Sequence, residues 1–182
     1  LDLQPQAAGV TTAGTYVATV WLSAVDALGS PASVTVIFTV EAGAAAALSI
    51  IAGDAQSAEA GTAVAVAPSV RVADAFGNDV AGVDVTFAVA SGGGYVTGAS
   101  VTTDEAGLAE VGSWTLGTVA GANTLTASVA GLIDVTFTAT GVAGAAAALQ
   151  IAAGDGQSAV AGSDVAIPPE VTAVDVHGNG VA

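Results

Sequence analysis

The 182-residue sequence predicts an all-β chain of tandem antiparallel β-sandwich units. Three observations predict it: a long internal repeat, period-two alternation of apolar and polar residues, and a composition suited to strands and turns. The repeat sets the size of the unit. The segment AAAALSIIAGDAQSAEAGTAVAVAPSVRVADAFGNDVA, starting at Ala44, returns from Ala145 as AAAALQIAAGDGQSAVAGSDVAIPPEVTAVDVHGNGVA, without a gap and at an offset of 101 residues. Gly53-Asp54 matches Gly154-Asp155, Gln56-Ser57 matches Gln157-Ser158, Pro68 matches Pro169, and Asp74 with Gly77-Asn78 matches Asp175 with Gly178-Asn179. That spacing is one β-sandwich, too long for a solenoid repeat. It divides the chain into closing strands of a preceding unit at 1–43, a whole unit at 44–143 and opening strands of a further unit at 144–182.

Alternation supplies the strands. Val83, Val85, Phe87 and Val89 are expected to face inward with Asp84 and Thr86 in water, as are Leu125, Ala127 and Val129 on a second strand. Val135, Phe137 and Ala139 alternate in the same way with Thr136, Thr138 and Thr140. Turns are expected at Phe76-Gly77-Asn78-Asp79, Ser91-Gly92-Gly93-Gly94, Asp104-Glu105-Ala106-Gly107 and Gly121-Ala122-Asn123. The alanine runs at 44–47 and 145–148 are too short for a helix, which needs roughly 12–15 residues to persist alone, and read as tight joints between units.

Residues 1–43 do not align gaplessly with the repeat. They read as a closing hairpin of a somewhat different subtype, with Tyr16, Ala18, Val20 and Leu22 on one strand and Val34, Val36, Phe38 and Val40 on the other, around Asp26-Ala27-Leu28-Gly29-Ser30. Residues 144–182 stop where the strand predicted at 83–89 has its counterpart. Without an initiator Met or a signal-peptide pattern, the sequence reads as a piece of a longer chain. Each partial unit is expected to be completed either by continuing chain or by head-to-tail strand addition between protomers.

Composition excludes several functions. Sixteen acidic residues against one basic residue, Arg71, leave a net charge of −15, which repels nucleic-acid phosphates and anionic lipid. The acids keep an apolar-rich surface soluble. Absence of cysteine excludes disulfides and thiolate metal sites. The charge-free stretches 111–133 and 135–154 are broken by Gly112, Gly117, Gly121 and Gly131, and by Gly141 and Gly144, so they read as strands and not as membrane spans.

Taken together, Leu48-Ser49-Ile50, Val70-Arg71-Val72-Ala73-Asp74-Ala75-Phe76-Gly77-Asn78, Gly82-Val83-Asp84-Val85-Thr86-Phe87, Thr103-Asp104-Glu105-Ala106-Gly107 and Val135-Thr136-Phe137 resemble bacterial immunoglobulin-like domains of the invasin and intimin type. The resemblance covers residues 44–143 fully and 144–182 in part. It implies tandem immunoglobulin-like sandwich modules on a bacterial surface, acting mostly as spacers.

Catalysis is not expected. The only histidine is His177, Lys and Cys are absent, and Ser and Thr hydroxyls lack an activating base. Phe76 stands where the second copy has His177, so that histidine reads as a turn residue. Ser91-Gly92-Gly93-Gly94-Tyr95 lacks the lysine of a phosphate cradle. The one candidate site is for calcium: Asp74, Asn78 and Asp79 bracket a turn, Asp175 and Asn179 repeat it, and Asp54 and Asp155 lie near the joints. The same residue types are what turns favour in any case, and no cofactor is required.

The repeat and short joints lead to one expected role, as a structural module of an extracellular stalk, adhesin shaft or fibre whose partners are neighbouring modules end to end, with any host receptor bound elsewhere. The alternatives are a filament subunit closed by head-to-tail complementation, and a glycan- or receptor-binding module using loop 91–98. Trp21, Trp114, Tyr16 and Tyr95 are its few aromatic platforms.

Overall fold

Alternating residues become a sheet only when their main-chain groups find partners on neighbouring strands. The computed structural model describes residues 9–26 and 28–182, and those residues form fourteen strands and no helix. Residues 1–8 and Ala27, which fall in the predicted closing hairpin and its turn, lie outside them. The chain is all-β.

A two-stranded hairpin comes first, β1 (Gly14–Leu22) and β2 (Ala32–Val40), in unbroken antiparallel register from Gly14 opposite Val40 to Leu22 opposite Ala32. Tyr16 stacks on Phe38 across it, with ring centroids 5.3 Å apart. Ten strands follow in residues 44–143: β3 (Ala45–Ala52), β4 (Gln56–Glu59), β5 (Ser69–Asp74), β6 (Asp84–Ser91), β7 (Gly94–Thr97), β8 (Ser100–Thr102), β9 (Leu108–Glu110), β10 (Ser113–Leu116), β11 (Gly121–Ser128) and β12 (Val135–Val142). The last pair is β13 (Ala148–Ala153) and β14 (Glu170–Val174), antiparallel to each other.

The ten middle strands make a sandwich. One layer has the order β3-β5-β9, the other β4-β12-β11-β6-β8, and β7 pairs with β10 beside them. Val70 and Val72 from the first layer meet Val85, Phe87, Leu125, Ala127 and Phe137 from the second in one apolar cluster that also holds Trp114 and Leu116. The inward-facing residues of β6, β11 and β12 are those the alternation predicted, with Val83, Val89 and Val135 half-buried at the margins. Each fully buried side chain of this size contributes roughly 1.5–3 kcal/mol.

The chain changes layers between β3 and β4, and the invariant residues of the repeat build that crossing. Gly53 has φ +87°, and a Cβ there would lie 2.6 Å from Pro68 Cα. The Gln56 amide then closes the loop, donating to Gly53 O and Val66 O and accepting from Val66 N. The second copy repeats this with Gly154 against Pro169 and with Gln157 bonded to Gly154 O, Ile167 O and Ile167 N. After the crossing, β4 runs parallel to β12, from Gln56 beside Ala139 to Glu59 beside Val142.

Two expectations need correction. Gly121-Ala122-Asn123 is not a turn but the start of β11, and the turn lies just before it at 117–120. The physical reason is that buried Asn123 turns its amide back, accepting from Gly117 N and donating to Gly121 O, so it closes the preceding turn from inside the strand. The alanine run at 44–47 is also not wholly a joint, because Ala45 already pairs with Asp74 in β3. The connecting residues are 41–44 in the first joint and 143–147 in the second.

Candidate functional site

Four of the residues expected as calcium ligands, Asp74, Asn78, Asp175 and Asn179, lie at the two joints. At the end of β5 the chain folds into a tight turn, Asp74-Ala75-Phe76-Gly77-Asn78, closed by Asp74 N donating to Asn78 O at 2.9 Å and Gly77 N to Asp74 O at 3.1 Å. The Asp74 carboxylate organises it. Its Oδ1 accepts from Phe76 N at 2.8 Å and Asn78 N at 2.9 Å, and its Oδ2 accepts from Asn78 Nδ2 at 2.9 Å and from Gly43 N in the connecting segment at 2.8 Å. These bonds, the Asn78 side chain first and Gly43 next, hold the carboxyl well below the usual aspartate range.

Asn78 reaches back past the connecting segment. Its Oδ1 accepts from Ala13 N at 2.8 Å and its Nδ2 donates to Thr11 O at 2.7 Å, so the side-chain amide meets the main chain ahead of β1 as another peptide group would. The second joint is a copy. Asp175 accepts from His177 N and Asn179 N through Oδ1 and from Asn179 Nδ2 and Gly144 N through Oδ2. Asn179 accepts from Ala120 N at 2.8 Å and donates to Thr118 O at 2.9 Å. Its side chain is also the leading cause of a lowered Asp175 carboxyl.

The other candidates lie apart from this arrangement. Asp79 pairs with Arg71, which also donates to Gly77 O at 2.8 Å; an exposed pair of this kind contributes about 0–1 kcal/mol. In the second copy Thr172 and Gly180 take their places. Asp54 does not face a joint but staples β12 within the same unit, accepting from Thr138 N and Oγ1, and Thr138 N is the main reason its carboxyl is lowered. Asp155 accepts from Gly156 N. His177 is exposed, and its ring lies across the joint: a Cβ on Gly61 would sit 2.9 Å from its Nε2.

For a cation, the consequence is chemical. The Asp74 and Asp175 oxygens face N–H donors, which a metal ion would have to displace. Among the described residues no three His, Cys, Asp or Glu side chains come together as a metal site. No helix among them is long and apolar enough to cross a membrane.

Sequence reasoning missed the partners in the preceding strands and connecting segments: Thr11, Ala13 and Gly43, and Thr118, Ala120 and Gly144. Only their main-chain atoms take part in these bonds, so residue type carried little signal. One pattern was available: Thr11-Thr12-Ala13-Gly14 parallels Thr118-Val119-Ala120-Gly121.

No protein-family model and no curated protein matches the sequence. Among solved structures, the chain is similar to surface layer protein SbsC, domains 4-9, at 20% identity and TM-score 0.44, over 93% of this chain and 25% of that one. It is similar to the D00-D0 domain of intimin at 19% identity and TM-score 0.37, over 68% of this chain and 64% of that one. A third similarity, to a β-glucuronidase of Parabacteroides merdae, has 14% identity and TM-score 0.38, over 62% of this chain and 14% of that one. The chain thus spans a quarter of the SbsC structure's length and just under two thirds of the intimin structure's.

Proposed function

We propose that this chain is a non-enzymatic structural segment of a bacterial surface stalk, adhesin shaft or fibre, with immunoglobulin-like modules stacked end to end outside the cell. Residues 44–143 form the whole module, 1–43 the closing strands of one before it and 144–182 the opening strands of one after it. The observation that carries this reading is the recurrence of one joint, bond for bond, at Asp74–Asn78 and 101 residues later at Asp175–Asn179. A short connection pinned on both sides holds successive modules in line, as a spacer requires. The extracellular placement follows the resemblance of the sequence motifs to invasin- and intimin-type domains.

Head-to-tail complementation has less behind it. The hairpin β1–β2 supplies counterparts of β11 and β12, and β13–β14 supplies counterparts of β3 and β5. Nothing among the described residues of the two partial modules supplies counterparts of β6 to β10, the strands that carry Val85, Phe87, Trp114 and Leu116. A receptor-binding reading has one feature in its favour, exposed Tyr95 beside a groove of about 380 Å³ lined by Gly92, Gly93, Gly94 and Val119.

Small-angle scattering on a protein of several such modules tests the stalk. Its longest dimension should grow in proportion to module number, and a compact particle would overturn the reading. Protease treatment of intact cells should release the segment; its retention would refute the surface location.

A further inference from the structure

Among the described residues three turns share one construction, and two of them bond across a joint. Asp104-Glu105-Ala106-Gly107-Leu108 repeats the Asp74 turn, with Asp104 Oδ1 accepting from Ala106 N and Leu108 N at 2.9 Å and Asp104 N donating to Leu108 O at 3.0 Å. Asp and Gly are therefore sufficient for the turn. Where the fifth residue is Leu108, it pairs with Arg71 inside the sandwich; where it is Asn78 or Asn179, its amide spans the joint. The asparagine adds docking to a turn that forms without it.

What the asparagine meets is main chain. At both joints the bonded atoms are the C=O and N–H flanking the residue two before an opening glycine: Thr11 O and Ala13 N around Thr12, before Gly14, and Thr118 O and Ala120 N around Val119, before Gly121. These glycines have φ of +151° and +142°, a region that favours glycine and turns the chain into the strand behind the exposed pair. The surroundings differ widely. Phe76 is replaced by His177 and Thr12 by Val119. The first hairpin is also longer, since Gly14 and Val40 pair across 26 residues and their counterparts Gly121 and Gly141 across 20.

We infer that Asn78 and Asn179 are the docking residues of a backbone-read module interface, whose partner is any module presenting that C=O and N–H pair ahead of an opening glycine, whatever its side chains or hairpin length. The asparagine fixes the angle between modules, and the Asp74 or Asp175 bond to the connecting glycine fixes their separation. The inference goes beyond the stalk reading and does not depend on it. A module array displayed anywhere would use the same joint.

The chain lacks cysteine, so paired spin labels test this cleanly. Labels on Thr19→Cys and Thr86→Cys span the first joint, and labels on Thr136→Cys and Gln150→Cys span the second; all four positions are exposed. In the 182-residue chain each pair should give one narrow distance peak. Asn78→Ala should abolish the narrow peak across the first joint and leave the second narrow, and Asn179→Ala should do the reverse, with emission from buried Trp114 reporting the fold in each case. Ala13→Pro removes the amide hydrogen that Asn78 accepts without altering the central sandwich, and should match Asn78→Ala even if that variant folds poorly. Phe76→His and Thr12→Val should leave both peaks narrow. Narrow peaks that survive both Asn78→Ala and Ala13→Pro would overturn the inference, as would broadening by Phe76→His or Thr12→Val. Loose joints would leave the surface location standing, and failure to find the chain on a cell surface would leave these distances unchanged.

Discussion

The segments 48–81 and 149–182 have related sequences and different surroundings. In the first, Val70 is fully buried under the opposite layer; in the second its counterpart Val171 is 62% exposed. The layer crossing at Gly53 and Gly154, the glutamine clasp, the Asp turn and the asparagine bonds are nevertheless the same in both. Turn and joint chemistry is therefore written locally and over the boundary to the preceding module, whereas burial of the apolar stripe requires strands β6 to β12. Two layers of information lie in one stretch of residues.

The largest effect should separate these layers. Phe137→Ala is expected to cost the central sandwich ~3–5 kcal/mol, whereas Val171→Ala, on an open face, should change stability by no more than about 0.5 kcal/mol. Urea unfolding followed through Trp114 measures the first and amide hydrogen exchange along β14 the second, and similar costs would break the comparison. Next comes the shared crossing. Gly53→Ala forces a Cβ against Pro68 at a positive φ, so a loss of about 1–3 kcal/mol is expected. Gly154→Ala meets the same geometry, yet should leave the Trp114 transition in place, because its loss stays within its own segment.

A smaller effect concerns pH. The Asp74 and Asp175 carboxyls are held below their ordinary value, so their contribution is fully present above the unfolded aspartate pKa of ~3.9 and is lost only as pH falls through the lower folded value. Distances across both joints should therefore stay narrow from neutral pH to about 4 and broaden together below it. Broadening at one joint alone would show that the two copies are not equivalent. The smallest effect is expected from calcium. About 1 mM calcium should not move the melting temperature. A clear rise would show that the ion displaces the N–H donors, and would return Asp74, Asn78, Asp79, Asp175 and Asn179 to the role of ligands.

Much of the sandwich was legible because side-chain alternation is a direct image of a two-faced strand: Val85, Phe87, Leu125 and Phe137 are buried where the pattern put them. Asn123 was misread because a glycine with an asparagine two residues on looks the same whether the amide serves a turn from within it or from the next strand. Residues 1–43 were read as closing strands but could not be put in register with the repeat, because six extra hairpin residues defeat a gapless comparison although the strand ends correspond. At the joints the asparagine and aspartate were singled out, but their chemistry was open. A carboxylate facing a cation and one facing amide hydrogens are spelled with the same letters; Asp74 takes three donors from its own turn, Phe76 N, Asn78 N and Asn78 Nδ2, and one, Gly43 N, from 31 residues away.

The parallel pairing of β4 with β12 has a mechanical consequence. Tension along the chain enters the central module through the start of β3, just ahead of β4, and leaves through the end of β12. The pull on two parallel strands is then in opposite directions along their length, so the hydrogen bonds between Gln56–Glu59 and Ala139–Val142 are sheared together instead of being opened one after another. A module built this way should yield abruptly at a high force in single-molecule pulling; gradual opening at low force would contradict it. The short strand that looks least important in the sandwich is where tension across it would be held.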